Sequence, residues 1–92
     1  MVEYILDEDG NIQAFIGYLV FNEKEQLSDD GILLYVDMMV VSKSYKGKNV
    51  VKIFAQKLYA QYPKLVKAVW YRDIKYKDNK LREFNFLRLL GR

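Results

Sequence analysis

The feature that most constrains the fold is an apolar run over residues 32–41, which carries a single charged side chain, Asp37. The run is rich in β-branched residues and does not alternate between polar and apolar positions. A strand with one face in water would alternate, so the run predicts a central strand that is covered on both faces. It is about half as long as a helix that crosses a membrane, and the N-terminus, Met-Val-Glu-Tyr, lacks the basic region of a signal peptide. We therefore expect a cytoplasmic protein that does not enter a membrane.

Before this run, the sequence predicts an antiparallel pair of strands. Residues 2–6 and 12–21 contain many β-forming residues, and the turn-forming residues Asp9, Gly10 and Asn11 lie between them. Asp-Gly between two apolar runs is a strong hairpin signal, because glycine tolerates a positive φ. Residues 22–31 are acidic and polar, and we expect them to form a loop.

After the run, the pattern is that of a strand–helix–strand crossover. Residues 50–61 predict a helix that ends before Pro63. Its apolar stripe consists of Val51, Phe54, Ala55 and Leu58. Residues 65–71 predict a strand parallel to the central one. A last helix is expected to begin at Asp78 or Asn79 and to align Leu81, Phe84, Leu87 and Leu90. The expected fold is α+β (mixed α/β), a single domain over residues 1–92 with the order β-β-β-α-β-α.

The composition excludes several kinds of chemistry. The 92 residues include no cysteine and no histidine. Disulfides, thiolate nucleophiles, cysteine zinc sites and histidine-dependent catalytic triads are therefore excluded, and we expect no metal site. Catalysis would depend on carboxylates, tyrosine, lysine, backbone groups or a cofactor. With 51% hydrophobic residues, the chain can bury a core without cross-links.

The net charge of +3 conceals two halves of opposite sign. Residues 1–42 carry nine acidic side chains and one basic side chain, for a net charge of −8. Residues 43–82 carry twelve basic and two acidic side chains, for a net charge of +10. This segregation is consistent with a basic half that faces an anionic partner, and also with two solvated faces that attract one another.

The most informative segment, residues 36–52, passes from the apolar strand through a basic loop into a helix. The first turn of a helix leaves backbone N–H groups without partners, and the helix dipole favours negative charge there. Lys43, Lys46 and Lys48 add positive charge around Gly47. The pattern predicts an anion-binding loop, and the alternative is an ordinary solvated turn.

Asp37 is the second informative feature. By simple alternation it shares a strand face with Tyr35, Met39 and Val41. Burying an unpaired carboxylate costs free energy, so we expect Asp37 to be paired or to lie at a cleft. The plainer alternative is that it faces solvent or pairs with a lysine.

Residues 36–51 resemble motif A of the GNAT superfamily of acetyl-CoA-dependent N-acetyltransferases. Residues 36–41, Val-Asp-Met-Met-Val-Val, are similar to the family's strand, Ile-Glu-Asp-Leu-Tyr-Val. Residues 45–51, Tyr-Lys-Gly-Lys-Asn-Val-Val, are similar to its loop, Tyr-Arg-Gly-Lys-Gly-Ile-Gly. The order of elements matches the family's central portion. The resemblance covers most of the chain and implies a GNAT-like twisted sheet in a minimal or truncated version.

The resemblance also implies a site and a reaction. Acetyl-CoA or CoA would lie between the third and fourth strands, and an unknown amine would attack the acetyl thioester directly. Asp37 would orient or deprotonate that amine. The cofactor-binding residues would be Met39, Val40 and Val41 on the strand and Lys46, Gly47, Lys48, Asn49, Val50 and Val51 on the loop and helix.

Four positions depart from the family's pattern. Lys46 replaces an arginine and keeps the charge without the bidentate fork. Asn49 replaces a glycine and tolerates a left-handed φ well. Val51 replaces a glycine or alanine, so that its side chain either narrows the phosphate site or belongs to the core. The family's tyrosine acid falls on Leu87, which leaves the proton donor unassigned. Candidates elsewhere are Tyr71 and Tyr76.

Two other functions are left open. A catalytically inactive GNAT-like protein could act as a protein-interaction module and bind a second copy or another protein at an exposed sheet edge. Residues 70–77, which mix aromatic and basic side chains, could bind nucleic acid. That interpretation is the weaker one, because core aromatics beside a solvated loop have the same pattern.

Overall fold

A computed structural model describes residues 1–46, 49–71 and 81–91. They form one five-stranded sheet in the order β1-β2-β3-β4-β5, with two α-helices and a short 3-10 helix over Lys43–Tyr45. The strands are β1 (Val2–Leu6), β2 (Ile12–Phe21), β3 (Leu33–Val41), β4 (Lys67–Tyr71) and β5 (Leu81–Asn85), and the helices are α1 (Val50–Gln61) and α2 (Phe86–Leu89). Neighbouring strands are antiparallel except for β3 and β4, which are parallel. The α+β class, the parallel pair and the bounds of α1 are confirmed.

The hairpin between β1 and β2 forms as predicted. The Asp7 carboxylate accepts hydrogen bonds from the backbone N–H groups of Asn11 and Asp9, each at 2.9 Å. The bond from Asn11 is the main cause that lowers the pKa of Asp7 from its usual value. Gly10 has a φ of 84°, which glycine adopts without strain. The chain can therefore reverse tightly between the two strands.

The core lies on one side of the sheet, which we call the inner face. It contains the alternate residues of the strands that point towards α1, with Phe54 and Leu58 of the helix packed on them. Phe86 of α2 is fully buried in the same cluster, and its ring stacks on Tyr59 at a centroid distance of 6.3 Å. Both helices thus cover the inner face. No helix in the described part of the chain is long and apolar enough to span a membrane.

The predicted last helix is wrong over its first part, because residues 81–85 form β5 and pair with β4. Phe84 and Phe86 both pack on the core, which is the two-residue spacing of a strand, whereas Leu87 is exposed. The helix begins only after Asn85, whose side-chain oxygen accepts the N–H groups of Leu87 and Arg88 at 3.0 and 3.2 Å. The element order therefore gains a strand. The expected helix starts, Asp78 and Asn79, lie outside the described residues.

The prediction that residues 32–41 are covered on both faces is wrong for the second half of the run. Leu34 is buried, but residues 37–40 are exposed. β4 pairs with β3 only as far as Tyr35, and no described helix lies on the other face of the sheet, which we call the outer face. Within the described residues, the second half of β3 therefore has no neighbouring strand on the β4 side and no helix over its outer face.

Gly31 gives a stability prediction. A Cβ at this position would lie 2.5 Å from the carbonyl oxygen of Phe21 and 2.6 Å from a methyl carbon of Val20. The Phe21 carbonyl is held by the N–H of Ile32 at 2.9 Å, so the backbone cannot retreat without losing that bond. We expect Gly31→Ala to lower the free energy of unfolding by about 2–3 kcal/mol in urea denaturation.

Gly17→Ala is the matched control for this substitution. Its new Cβ would meet only Met38 Cγ, at 3.3 Å, on a flexible side chain that can move away. The expected loss is below about 1 kcal/mol. Equal losses in the two variants would contradict the close approach of Gly31 to the Phe21 backbone.

Candidate functional site

The candidate site lies where β3 and β4 separate. The two strands pair only at Leu33–Lys67, Leu34–Ala68 and Tyr35–Val69. β3 nevertheless continues to Val41 and stays paired with β2 over that length. A gap therefore opens between β3 and β4 beyond Tyr35.

Asp37 is the extra residue of a β-bulge at the start of this gap. Val36 pairs with Tyr18 and Met38 pairs with Gly17, so Asp37 has no partner in the β2–β3 register. A bulge bends its strand and increases the local twist. The bulge thus lies directly after the last residue pair between β3 and β4, where it directs β3 away from its neighbour.

The bulge also changes which side chains share a face. Met39 pairs with Ile16 on the inner face, whereas Tyr35 pairs with Leu19 on the outer face. Met39 and Val41 therefore share the inner face, as predicted, and Asp37 lines the same cleft as Met39. The prediction is wrong for Tyr35, because alternation is interrupted at the extra residue.

A cleft of about 520 Å³ occupies the gap and continues beneath α1. Its lining is mostly apolar and includes Val36, Met38, Met39, Val51, Trp70 and Phe84. Asp37 is exposed and is the single charged residue among the described residues that line the cleft. The expectation that this carboxylate lies at a cleft agrees with this position. Trp70 packs on Phe84 at a centroid distance of 5.0 Å, and both rings line the cleft.

The backbone of β3 presents an open edge to the cleft. Ser42 donates its N–H to the carbonyl of Gln13 at 2.8 Å, which fixes the hydrogen-bonded positions of the β2–β3 ladder. Because these positions alternate along an antiparallel pair, the backbone groups of Val40 point to β2 and those of Met39 and Val41 point to the gap. Of the three predicted strand residues, Met39 lines the cleft, and the backbone groups of Met39 and Val41 both face the gap.

The start of α1 reaches the same cleft. Asn49 has φ 60° and ψ 39°, a left-handed conformation, and its side chain makes no capping hydrogen bond. The first bond within the helix runs from the N–H of Ile53 to the carbonyl of Asn49 at 3.1 Å. Among the described residues, the N–H groups of the first helical turn thus have no side-chain cap from Asn49, and such groups can bind an anion.

Val51 and Val50 have different roles on this helix. Val50 is buried in the core, whereas Val51 is 41% exposed and lines the cleft. The alternative that Val51 belongs to the core is therefore wrong, and Val50 takes its place in the buried stripe. The Val51 side chain narrows the cleft at the helix start.

Two lysines add positive charge in the connection that leads to α1. Lys43 and Lys46 are exposed, and the ion pairs of the described residues involve other lysines, Lys64 with Asp30 and Lys67 with Glu83. The predicted site residues Gly47 and Lys48 lie outside the described residues.

Gln13 is a site residue that the sequence did not reveal. Its side-chain oxygen accepts hydrogen bonds from the hydroxyl groups of Ser42 and Ser44 at 3.1 and 3.3 Å. Its amide donates to the Asp7 carboxylate at 3.1 Å. The β1–β2 hairpin thus holds the segment that leads into the basic loop. A glutamine near the start of a strand carries no sequence signal of such a role.

The described residues include no proton donor at the cleft, neither at Leu87, the position of the family's tyrosine, nor at the candidates Tyr71 and Tyr76. Leu87 is exposed and does not line the cleft. The side chain of Tyr71 and all of Tyr76 lie outside the described residues. No tyrosine in the described part of the chain lines the cleft. Tyr18 lies elsewhere: its hydroxyl is 3.4 Å from that of Tyr62, and burial raises its pKa.

A comparison of structures supports the fold, whereas comparisons of sequence found no match. No family model matches the sequence, and no curated protein matches it. The crystal structure of the GNAT family N-acetyltransferase YhbS from Escherichia coli, in complex with CoA, is similar to this chain with a TM-score of 0.58 and 11% sequence identity. The match covers 98% of this chain and 62% of the enzyme's chain. The chain therefore has a GNAT-like fold and spans less than two thirds of its structural neighbour's length.

Proposed function

We propose that the protein binds acetyl-CoA, or CoA, between β3 and β4 and transfers the acetyl group to an amine. One observation carries the proposal: the cleft that opens at the Asp37 bulge is bordered by the free backbone edge of β3 and by the uncapped start of α1. The CoA bound to the Escherichia coli enzyme with this fold supports the same choice of ligand. We treat residues 1–92 as a single GNAT-like domain.

The described residues fit such a ligand. The pantetheine arm has amide groups and apolar methylenes, which match the open edge at Met39 and Val41 and the apolar lining of the cleft. The pyrophosphate suits the free N–H groups of Val50 and Val51, and the charges of Lys43 and Lys46 suit the outer phosphates. The Val51 side chain fits the pyrophosphate less well, because it occupies space beside those N–H groups.

The protein would contribute binding, orientation and proton transfer. When bound, acetyl-CoA supplies an acetyl group activated as a thioester. Asp37 would accept a hydrogen bond from the amine and take its proton, directly or through water, as the nitrogen attacks the carbonyl carbon. The bulge at Asp37 helps because it leaves the carboxylate exposed at the cleft instead of paired across the strands. The carbon–sulfur bond of the thioester would break as the carbon–nitrogen bond forms, CoA would leave as a thiolate that water can protonate, and no covalent enzyme intermediate would be needed.

Release of the CoA thiol tests the reaction. Because the chain has no cysteine, a thiol-specific chromophoric reagent detects only the thiol of CoA, and release that depends on the amine distinguishes acetyl transfer from hydrolysis. We expect release that depends on protein and amine when acetyl-CoA is offered with a panel of primary amines. Release at the uncatalysed rate with every amine would contradict the enzymatic part of the proposal.

A catalytically inactive GNAT-like protein is the second candidate, and two observations favour it. Val51 narrows the cleft at the helix start, and Leu87 stands where the resemblance places a tyrosine acid. CoA binding without thiol release would support this candidate. In that case a second copy or another protein could pair with β1 or β5, which form the two edges of the sheet.

A further inference from the structure

The cleft between β3 and β4 has a wide end and a narrow end. The wide end lies beyond the Asp37 bulge, where Met39 and the first turn of α1 border it. The narrow end lies where the two strands begin to pair, because Leu34 pairs with Ala68 and the pairing stops one residue before Trp70. The contacts proposed for CoA lie at the wide end and at Asp37, so no group of the ligand is assigned to the narrow end.

α1 runs from the wide end of the cleft to the narrow end. Val51 in its first turn lines the cleft, and the chain that follows the helix returns to the beginning of β3, where Val66 donates its N–H to the carbonyl of Ile32 at 2.8 Å. Leu58 also lines the cleft, and it lies about two helical turns after Val51, a distance of about 10 Å along the helix. The cleft is therefore long enough to hold a ligand group beyond Asp37.

The described residues that line the narrow end are all apolar. They are Leu34, Val36, Leu58, Trp70, Phe84 and Phe86. Leu34 and Phe86 are buried and form the floor, whereas Trp70 and Phe84 are only half-buried and keep apolar ring surface in contact with water. Folded proteins leave few voids larger than a water molecule in their interiors. An apolar end in an open cleft of about 520 Å³ thus suits the apolar part of a ligand.

We propose that the narrow end binds the acyl chain of an acyl-CoA, and that the protein uses acyl donors with chains longer than acetyl. The inference rests on the proposed function, because it takes the thioester to lie beside Asp37. The phosphates remain at the wide end, near the start of α1, and the pantetheine follows the edge of β3 at Met39 and Val41. The acyl chain is the remaining end of the molecule, and it is directed towards Trp70 and Phe84.

An apolar amine fits the narrow end less well than an acyl chain does. The amine nitrogen has to meet the carboxylate of Asp37, which is exposed, so the rest of the amine can extend into water. To reach the narrow end, the amine would have to pass the thioester. The methyl of an acetyl group would leave most of the Trp70 and Phe84 surface in water, whereas a medium-length acyl chain would cover it.

The chemistry of the transfer does not depend on the chain length. The bond from the amine nitrogen to the carbonyl carbon forms as the carbon–sulfur bond breaks, Asp37 takes the proton of the amine, and the CoA thiolate takes a proton from water. A longer chain therefore changes the affinity for the donor and not the reaction.

Calorimetric titrations without any amine test the proposal, because they isolate the contribution of the acyl chain. Each methylene that leaves water tightens binding by about three- to four-fold, and the ordering of the chain offsets part of this gain. We therefore expect one octanoyl-CoA per chain, bound about 10–100-fold more tightly than acetyl-CoA and displaced by CoA.

The outcomes of these titrations separate the inference from the proposed function. Equal affinities for octanoyl-CoA and acetyl-CoA, or octanoyl-CoA that bound CoA does not displace, would overturn the inference and leave the CoA site standing. The absence of binding by CoA and by both thioesters would contradict the inference and the proposed function together.

Trp70 gives a second readout, because it is the only tryptophan in the chain. An acyl chain against its ring excludes water, so octanoyl-CoA should shift the emission maximum of Trp70 to shorter wavelength, and CoA should shift it much less. An unchanged emission maximum with octanoyl-CoA bound would also overturn the inference.

One side chain added at two positions of α1 tests where the acyl chain lies. Ala55 lies between Val51 and Leu58 and lines the cleft, so Ala55→Leu should remove the preference for octanoyl-CoA and retain the affinity for CoA. The control Ala60→Leu adds the same side chain at an exposed position that does not line the cleft, and it should keep the preference. A full preference in both variants, with circular dichroism showing that both are folded, would contradict an acyl site at the narrow end. The titrations of the wild-type chain do not depend on how Ala55→Leu folds.

Discussion

Asp37→Asn is expected to lower kcat/KM for acetyl transfer to an amine by about 10²–10³-fold, the usual contribution of a positioned general base. The amide cannot take the proton of the attacking amine, and Asp37 is the single charged residue among the described residues lining the cleft. The side chain is exposed, so the substitution should leave the fold intact. The measurement is the rate of CoA thiol release with the amine that the wild-type protein uses best.

Asp29→Asn is the control for this loss. Asp29 is equally an exposed aspartate, lies in the loop before β3 and does not line the cleft. The Asp29→Asn variant removes the same charge away from the cleft, so its thiol-release rate should stay within about two-fold of the wild-type rate. A rate for Asp37→Asn close to that of Asp29→Asn would remove Asp37 from the proposed mechanism.

Val51→Glu should weaken CoA binding by about 10–100-fold, or roughly 1.4–2.7 kcal/mol. The new carboxylate would stand in the first turn of α1, beside the N–H groups proposed to hold the pyrophosphate, and would repel it. A glutamate in the first turn also stabilises a helix by about 0.3–1 kcal/mol, so unfolding would not explain the loss. Calorimetric titration with CoA, with a thermal melt of the same sample, measures both effects.

Gln56→Glu controls for the added charge. Gln56 is exposed on the same helix and does not line the cleft, so this variant changes the net charge equally without placing a carboxylate at the helix start. Its affinity for CoA should fall by less than about three-fold at physiological salt, because that charge is screened. Equal losses in the two variants would indicate a general charge effect and not a phosphate site at Val50 and Val51.

Local signals allowed much of the fold to be predicted. Asp-Gly between two apolar runs predicted the first hairpin, and helical periodicity predicted α1. β5 was missed because apolar residues three apart in residues 81–90 match a helix, whereas the pairing that makes residues 81–85 a strand depends on β4. Tertiary pairing overrode a local pattern there.

Part of the site could also be predicted from local sequence signals. A lone carboxylate in an apolar strand indicated Asp37, and the strand–loop–helix pattern indicated the start of α1. The bulge could not be predicted, because it is a property of the register between β2 and β3 and leaves no residue pattern within β3. The role of Gln13 likewise depends on contacts between segments far apart in sequence.

The apolar run over residues 32–41 predicted a strand covered on both faces. The prediction failed within the described residues, since residues 37–40 are exposed. The exposed half of β3 borders the cleft in which we propose that CoA binds.

Isothermal titration of the folded protein with CoA tests the central claim most directly. The account predicts saturable binding with one CoA per chain, lost or strongly weakened in Val51→Glu and retained in Gln56→Glu. The absence of detectable heat at millimolar CoA, with circular dichroism showing a folded protein, would contradict a CoA site between β3 and β4.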